Sequence, residues 1–521
     1  MGSHTSSAKE DATNNTSNRS GRRISLTTPT FSISRIAVIG AGPSGLAAAK
    51  HLLAEGFSSS EIDIYEQQAE VGGVWNYSSA VRSSSIPQTD AHVGLDAPLY
   101  PDNAAANGGI VAGGQKDIEE DEKDEYEDYE FDSDDEACTA PGSGACSLPS
   151  ITSSRKDKNK DEERGERHML PPIFPNPMYD DLHTNIPHTL MRYSDLGFST
   201  TVDEKEGGRK NGTGTHEDSC EIFPTRQVVL EYLIQYAREV RHLVRFSTQV
   251  TDVSLQKKTT QAPNATEKKE RENQESIIRD KWTLQSKNLL TNTSHTETYD
   301  AVVVASGHYS TPFIPVPTTT TQEEMQAFVA AHPGVLSHSK SYRAASAFAG
   351  KRVVIVGSGP SGLDIASQIS AVCASPLIIS ARSALSEETA GHLGVGVGNS
   401  DSRVRVVGRI KKFLVEERGI IVGSAPSSTD ISSDKKERKK EGEEEEDRGE
   451  ERITDIDAII FCTGYLYTYP FLSSLSSSSS SSSPPLITNG RRVHNLARHF
   501  LHTSHPTLVF PGLPIKVIPF P

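Results

Sequence analysis

Two short glycine-rich segments have the residue types and the spacing needed to bind phosphate groups. They are Gly40-Ala41-Gly42-Pro43-Ser44-Gly45 and Gly357-Ser358-Gly359-Pro360-Ser361-Gly362, and each directly follows an apolar run typical of a β-strand. In a Gly-x-Gly-x-x-Gly segment the first glycine permits a tight turn, the second lets the backbone approach a pyrophosphate, and the third lets a helix pack closely on the strand. Because one such unit binds one dinucleotide, the two segments predict two dinucleotide sites.

The residue beyond the following strand differs between the two units. In the first unit it is Glu66, whose carboxylate can accept hydrogen bonds from ribose hydroxyls. In the second unit the strand 377–379 is followed by Ser380, Ala381 and Arg382, with no acid at its tip. A guanidinium at this place can pair with the 2′-phosphate of NADPH, which a carboxylate would repel. The second unit is therefore predicted to bind NADPH.

The elements that must position these segments alternate between strand and helix. This order is typical of doubly wound parallel sheets. The predicted fold class is α/β, with two Rossmann-like, three-layer dinucleotide-binding domains and long disordered insertions. The predicted strands are 35–39, 62–65, 300–305, 352–356 and 377–379, and the predicted helices are 46–53, 228–240 and one that begins at Pro360.

Three segments that follow the first unit resemble parts of the flavin-containing monooxygenases, a class B family. Val71-Gly72-Gly73-Val74-Trp75 resembles the loop that lies along the flavin in those enzymes. Met178-Tyr179-Asp180-Asp181-Leu182-His183-Thr184-Asn185-Ile186-Pro187 resembles their Tyr…Thr-Asn-x-Pro segment, and Arg192-Tyr193-Ser194-Asp195 resembles the stretch after it.

Three later segments extend the resemblance to nearly the whole folded chain. Val304-Ala305-Ser306-Gly307-His308 and Phe461-Cys462-Thr463-Gly464-Tyr465 resemble the two linkers between the nucleotide domains. The segment Gly334-x-x-x-His338-x-x-x-Tyr342-Arg343 resembles most of the signature F-x-G-x-x-x-H-x-x-x-[YF]. His332 stands where the leading Phe of that signature is expected.

The resemblance implies that the first unit binds FAD and the second binds NADPH. The implied reaction oxygenates a soft nucleophile, an amine nitrogen or a thioether sulfur, with O2 through a C4a-hydroperoxyflavin. Asn185 is implied as the catalytic residue, because its amide offers hydrogen-bond donors without an acidic proton. No metal-binding residue is expected. The implied cofactor-binding residues are Gly40, Ala41, Gly42, Pro43, Ser44, Gly45, Glu66, Gln67, Gly73, Val74, Trp75, Thr184, Asn185, Gly357, Ser358, Gly359, Pro360, Ser361, Gly362 and Arg382.

Other classes of protein are alternatives. A Baeyer–Villiger monooxygenase has a related signature, but that signature usually ends in Trp-Pro where Tyr342-Arg343 stands here. A flavin disulfide reductase needs two cysteines close in sequence, and the five cysteines of this chain form no such pair. A non-catalytic nucleotide-binding scaffold is the third alternative, because the chain stops at Pro521, where members of the family usually continue with further helical sequence.

Segments of biased composition divide the chain into predicted domains. Acidic, glycine-rich and serine-rich tracts cannot bury enough apolar surface to form a core, so they are predicted to be insertions. The predicted ranges are 1–30 for a disordered leader, 31–348 for the FAD-binding domain with insertions at 78–168 and 256–279, 349–452 for the NADPH-binding domain with an acidic insertion at 424–452, and 453–521 for a return to the FAD-binding domain with a serine tract at 473–483 and a truncated C-terminus.

Composition narrows the partners and the location. The formal net charge of -16 makes nucleic acid an unsuitable partner, and no apolar run reaches the roughly 20 residues that span a bilayer. The lack of a cysteine pair fits a reducing compartment, so a cytoplasmic protein with a small-molecule substrate is expected, in an oligomeric state that is left open. Residues 1–6 fit the N-myristoylation pattern, so membrane association through Gly2 is the alternative.

Overall fold

The structure is a computed structural model that describes most of the chain outside the predicted insertions. The predicted leader 1–30 lies outside the described residues, as do nearly all residues of the predicted insertions. The described residues are 33–80, 95, 97–100, 171–198, 221–256, 280–317, 319–395, 402–426, 449–476 and 485–513.

The described residues form short strands and helices. In chain order the strands are β1 (Ile36–Ile39), β2 (Ile62–Tyr65), β3 (Val244–Arg245), β4 (Thr248–Leu255), β5 (Trp282–Asn288), β6 (Ser294–Tyr299), β7 (Ala301–Val304), β8 (Thr311–Pro312), β9 (Leu336–His338), β10 (Val353–Val356), β11 (Leu377–Ser380), β12 (Val404–Val407), β13 (Ile410–Leu414), β14 (Gly419–Val422), β15 (Glu451–Ile453), β16 (Ala458–Phe461), β17 (Tyr465–Leu466), β18 (Leu496–Ala497), β19 (Leu501–His502) and β20 (Leu508–Val509). The helices are α1 (Pro43–Ala54), α2 (His188–Met191), α3 (Arg226–Ala237), α4 (Gln322–Ala331), α5 (Pro360–Ser370), α6 (Glu387–Leu393) and α7 (Ser473–Ser476).

A seven-stranded sheet in the order β18-β19-β20-β7-β1-β2-β3 forms the centre of the first unit. The strands from β20 to β3 run parallel, with Ile36 opposite both Ile62 and Ala301. β1 and β7 are apolar and buried along their whole length, as expected of parallel strands that are covered on both faces. Helices α1 and α3 cover one face through Leu46 and Tyr236, and the antiparallel sheet β4-β5-β6 covers the other.

A five-stranded parallel sheet in the order β12-β11-β10-β16-β9 forms the centre of the second unit. Ile365 and Ile369 of α5 pack on one face of it. Phe413 and Ile420 of the antiparallel sheet β13-β14-β15 pack on the other face, together with Phe328 of α4. The second unit therefore repeats the first, a parallel sheet between a helix layer and a small antiparallel sheet.

Each predicted strand and helix is confirmed, with its ends within three residues of those predicted. The predicted boundaries between domains are wrong for two strands. β9 was expected in the FAD-binding domain, and so was β16, but both pair within the second sheet. Pairing between distant strands depends on packing that local patterns do not report.

The start of the predicted serine tract is a second correction. Residues 473–476 form α7, and Leu475 packs against the core of the first unit. The apolar side chain supplies burial that the surrounding serines cannot, which explains why structure continues into the tract. No helix of the described residues is long and apolar enough to cross a membrane.

Candidate cofactor sites and active site

The first glycine turn connects β1 to α1 and leaves no room for a side chain at Gly40 or Gly45. Gly40 has a φ of 101°, and a Cβ atom on it would lie 2.6 Å from the carbonyl oxygen of Ala305. A Cβ atom on Gly45 would lie 1.9 Å from the carbonyl oxygen of Gly40. The turn therefore holds β1, β7 and α1 at a separation that only glycine allows.

The N-terminus of α1 is prepared for an anion. Gly42 is its N-cap, and no side chain makes a capping hydrogen bond to the first turn. Pro43 begins the helix, where its missing N–H costs nothing. The unpaired amides and the positive end of the helix dipole favour a phosphate at this position. These residues fit the pyrophosphate of a dinucleotide.

Glu66 braces the same turn from the end of β2. Its buried carboxylate accepts hydrogen bonds from the backbone N–H of Ala41 at 2.7 Å and of Gln68 at 2.9 Å. Burial raises the pKa of Glu66. Each carboxylate oxygen can accept a second hydrogen bond, so the predicted ribose contact is compatible with this bracing. The side-chain oxygen of the neighbouring Gln67 accepts a hydrogen bond from Gln249 Nε2 at 3.2 Å.

The predicted flavin loop lies directly against the turn. Gly72 donates a hydrogen bond to the carbonyl oxygen of Ala41 at 3.0 Å, and a Cβ atom on Gly73 would lie 2.9 Å from Gly42 Cα. Residues Gly73–Trp75 form a short 3₁₀ helix that includes Val74. Trp75 packs against the cluster formed by Val229, Tyr232 and Leu233 of α3.

Thr184 and Asn185 lie in a segment that is bonded to the chain just before α3. The backbone N–H of Thr184 donates to the carbonyl oxygen of Pro224 at 3.0 Å, and its buried hydroxyl donates to the carbonyl oxygen of Ile186 at 2.9 Å. Asn185 is exposed, and its amide makes no hydrogen bond to any described residue. Trp75 thus packs against the side of α3, and Thr184, the neighbour of Asn185, is bonded to the residue two positions before α3 begins.

The second glycine turn repeats the steric pattern of the first. A Cβ atom on Gly357 would lie 2.8 Å from the carbonyl oxygen of Cys462, and one on Gly362 would lie 2.2 Å from the carbonyl oxygen of Gly357. Gly359 differs, because a Cβ atom on it would meet no atom within 4 Å. Ser358 is half-buried, while Pro360 and Ser361 at the start of α5 are exposed. The turn leaves open space beside the helix N-terminus.

Arg382 stands at the carboxyl end of β11, two residues after the strand ends at Ser380. The backbone N–H of Gly357 donates to the carbonyl oxygen of Ser380 at 2.9 Å, so this strand end adjoins the glycine turn. Arg382 is exposed, and no carboxylate of the described residues forms an ion pair with it. The predicted placement beside the second dinucleotide loop therefore leaves its guanidinium available.

His338 joins the second sheet to the second linker. Its Nε2 donates to the carbonyl oxygen of Gly464 at 3.0 Å, and its Nδ1 accepts from the backbone N–H of Lys340 at 3.1 Å. Burial lowers the pKa of His338 to about 4, so the ring is neutral at neutral pH. Burial also raises the pKa of Cys462 to about 12, which keeps its thiol protonated.

The sequence did not single out a set of contacts between the flavin loop, the Asn185 segment and the second unit. Tyr77 donates to Asp180 at 2.6 Å, and Tyr179 donates to the carboxylate of Asp364 in α5. Arg343 donates to the carbonyl oxygens of Met178 at 3.2 Å, Lys340 at 2.9 Å, Tyr342 at 2.8 Å and Ala80 at 3.0 Å. The sequence signal for these contacts was weak, because Tyr179 and Arg343 lie inside segments that resemble the family but had no predicted cofactor-binding or catalytic role.

An apolar cavity of about 690 Å³ lies on the outer side of α1. It begins beside Ser44 and Trp75 and extends along Ala47, Ala48 and Leu52 to the end of the helix. Its lining includes Pro43 and Ser44 of the first glycine segment but not Asn185. Within the described residues no group of three or more histidine, cysteine, aspartate or glutamate residues is placed to hold a metal ion.

Comparisons with known proteins agree with this geometry. The family model described as flavin-binding monooxygenase-like matches residues 214–386, and the one described as FAD-NAD(P)-binding matches residues 37–99. The chain is 26% identical to the flavin-containing monooxygenase iboF of Amanita muscaria, over 93% of this chain and 76% of that protein. It is 30% identical to the senecionine N-oxygenase of Tyria jacobaeae, over 45% of this chain and 40% of that protein.

A solved structure has the same fold. The S-allyl-L-cysteine S-oxygenase of Allium sativum matches with a TM-score of 0.53 and 20% identity, over 94% of this chain and 73% of that chain. The predicted fold class is confirmed, and the family models support FAD and NADPH as the cofactors. Two glycine turns shaped for dinucleotides, a predicted flavin loop that packs on the first of them and these matches support one conclusion: the chain is similar to the flavin-containing monooxygenases and is an FAD-dependent monooxygenase.

Proposed function

We propose that the protein uses NADPH and O2 to oxygenate the nitrogen of an amine or the sulfur of a thioether. The observation that carries this proposal is the exposed Asn185 amide, which has no partner among the described residues and lies next to the helix that supports the flavin loop. When bound, FAD would supply the redox chemistry, which takes electrons from NADPH and activates O2.

The chain's own residues bind and orient. The N-terminus of α1 would hold the FAD pyrophosphate, with Glu66 on the ribose and Gly73 to Trp75 along the flavin. The N-terminus of α5 would hold the NADPH pyrophosphate, with Arg382 on the 2′-phosphate. Asn185 would donate a hydrogen bond to the activated oxygen without supplying an acidic proton.

The substrate class follows from the chemistry of the acceptor and from a relative. An oxygen atom that is transferred as an electrophile needs a lone pair that is easily shared, which amines and thioethers provide. The senecionine N-oxygenase of Tyria jacobaeae is named for nitrogen oxygenation, which supports an amine as one substrate.

The test uses flavin-loaded full-length protein with NADPH, isotope-labelled O2, and either a tertiary amine or a thioether. We expect isotope in the N-oxide or the sulfoxide, and NADPH consumption that matches product formation. Asn185→Ala should keep its FAD and still oxidise NADPH, but should release most of the oxygen as H2O2. NADPH oxidation by the wild type with no oxygenated product from either probe would contradict the proposal.

A further inference from the structure

We infer that Tyr179 is a positioning residue that fixes the Asn185 segment to the coenzyme-binding helix of the second unit through its hydrogen bond to Asp364. The catalytic part of this inference rests on the role proposed for Asn185, which lies six residues further along the chain. The attachment of the segment to the second unit depends only on contacts within this chain.

The segment that carries Asn185 is attached to the first unit on one side. Tyr77, just after the flavin loop, donates to the carboxylate of Asp180 at 2.6 Å. Arg226, the first residue of α3, donates through Nε to the carbonyl oxygen of Tyr179 at 3.1 Å. The guanidinium of Arg226 also lies 3.8 Å from the centre of the Tyr77 ring. These contacts hold the segment between the flavin loop and α3.

The same segment is attached to the second unit on the other side. The hydroxyl of Tyr179 donates to the carboxylate of Asp364 in α5. The backbone N–H of Asp180 donates to the carbonyl oxygen of Arg343 at 2.9 Å. The rings of Tyr179 and Tyr342 pack edge to face with their centres 5.2 Å apart. Tyr179 therefore bridges two units that would hold different cofactors.

The bond between Tyr179 and Asp364 is a charge-assisted link in this bridge, as is the bond from Arg343 to the carbonyl oxygen of Met178. Tyr179 is 5% exposed and packs in the core of the second unit with Val353, Ile355 and Ile365. A hydroxyl that donates to a carboxylate makes a charge-assisted bond, roughly twice as strong as a neutral one. Asp364 lies in the second turn of α5, whose N-terminus forms the open coenzyme loop at Gly359. A displacement of that helix would thus be passed to the segment of Asn185.

The hydroxyl of Tyr342, which is bonded to the same helix α5, offers a matched control. The ring of Tyr342 belongs to the same buried pair, and its hydroxyl donates to Gln368 Oε1 at 2.8 Å, one turn after Asp364. Tyr342 follows β9 of the second unit's sheet and Gln368 lies in α5, so this hydrogen bond links two parts of the second unit only. Loss of this hydroxyl should leave the Asn185 segment in place.

The first experiment measures hydrogen exchange of residues 180–187 in flavin-loaded protein. Tyr179→Phe and Asp364→Ala should each speed this exchange about tenfold, because they remove opposite ends of one charge-assisted bond. Tyr342→Phe should leave exchange at the wild-type rate. Unchanged exchange in Tyr179→Phe, or the same acceleration in Tyr342→Phe, would overturn the inference.

The second experiment asks whether Tyr179 acts through Asn185. Tyr179→Phe should raise the share of NADPH that ends as H2O2, and adding Asn185→Ala should raise it no further than Asn185→Ala alone. An additive effect would mean a general structural role and would refute the coupling. If the wild type oxygenates neither probe, the proposed function fails while the exchange experiment still decides the bridge.

Discussion

The two nucleotide units share one steric design but differ in what faces the glycine turn. In both, the first and third glycines meet backbone oxygens so closely that no side chain fits. In the first unit Gly42 is buried and faces Gly73, and the carboxylate of Glu66 accepts a hydrogen bond from the backbone N–H of Ala41 in the turn. In the second unit Gly359 is exposed and faces open space.

This difference matches the demands placed on the two cofactors. A flavin that stays bound over many turnovers is held best by a closed site, in which the chain's own residues surround the turn. A coenzyme that must leave after each hydride transfer is best held by an open one, since a buried site would slow its release. The comparison therefore supports the proposal that the closed turn holds FAD and the open turn holds NADPH, on structural grounds that are independent of Arg382.

The largest expected effect comes from alanine at the third glycine of each turn. Gly45→Ala and Gly362→Ala place a Cβ atom 1.9 Å and 2.2 Å from a backbone oxygen, so each should destabilise its unit by about 4 kcal/mol or more. Gly45→Ala should yield little flavin-containing protein, and Gly362→Ala should keep FAD but fail to oxidise NADPH. Flavin absorbance and NADPH oxidation measure the two outcomes. Normal flavin content in Gly45→Ala would contradict the view that the first turn admits only glycine at its third position.

The fold around these turns could be predicted because its signals are local. The apolar runs before Gly40 and Gly357 and the glycine spacing itself specify strand, turn and helix within a dozen residues. The sheet membership of β9 and β16 could not be predicted, since it depends on pairing with strands far away in the chain. The bridge from Tyr179 to Asp364 joins residues 185 positions apart, for which one sequence carries no signal.

Alanine at the second glycine separates binding from folding. Gly359→Ala meets no atom within 4 Å, so its melting temperature should stay within about 1 °C of the wild type, while the added methyl occupies the space of the coenzyme. The KM for NADPH should rise at least tenfold with FAD retained. Gly42→Ala meets Gly73 Cα at an ordinary contact distance of 3.4 Å, so it should fold and yet lose FAD. A normal KM for Gly359→Ala would mean that the open space is not the coenzyme site.

Acid should weaken the second unit through its buried His338. The pKa of buried His338 is lowered to about 4, whereas an unfolded histidine titrates near 6.5. The unfolded state therefore binds a proton across this window and the folded state does not, so stability is lost as the pH falls from about 6.5 to 4, by roughly 2–3 kcal/mol. In the first unit burial raises the pKa of Glu66, which acts in the opposite direction, and lowers the pKa of His502 to about 4, which acts in the same direction as His338.

A variant isolates the histidine from the other titrating groups. His338→Gln keeps an amide that can donate to the carbonyl oxygen of Gly464 but cannot take up the proton. Thermal unfolding between pH 7 and pH 4.5 should show a shallower loss of stability in the variant than in the wild type. Parallel curves for the two proteins would rule out His338 as the source of the acid sensitivity.

The smallest expected effect concerns coenzyme choice and depends on one exposed guanidinium. Arg382 has no carboxylate partner among the described residues, so its charge is available for the 2′-phosphate that distinguishes NADPH from NADH. A charge-assisted contact of this kind contributes about 1.5–3 kcal/mol, so Arg382→Ala should weaken NADPH roughly ten- to a hundredfold and leave NADH nearly unchanged. The steady-state KM of flavin-loaded protein for each coenzyme measures the ratio. Equal loss for both coenzymes would indicate a damaged fold, and no loss for either would remove Arg382 from the site, leaving the open turn at Gly359 as the basis for the second unit's coenzyme.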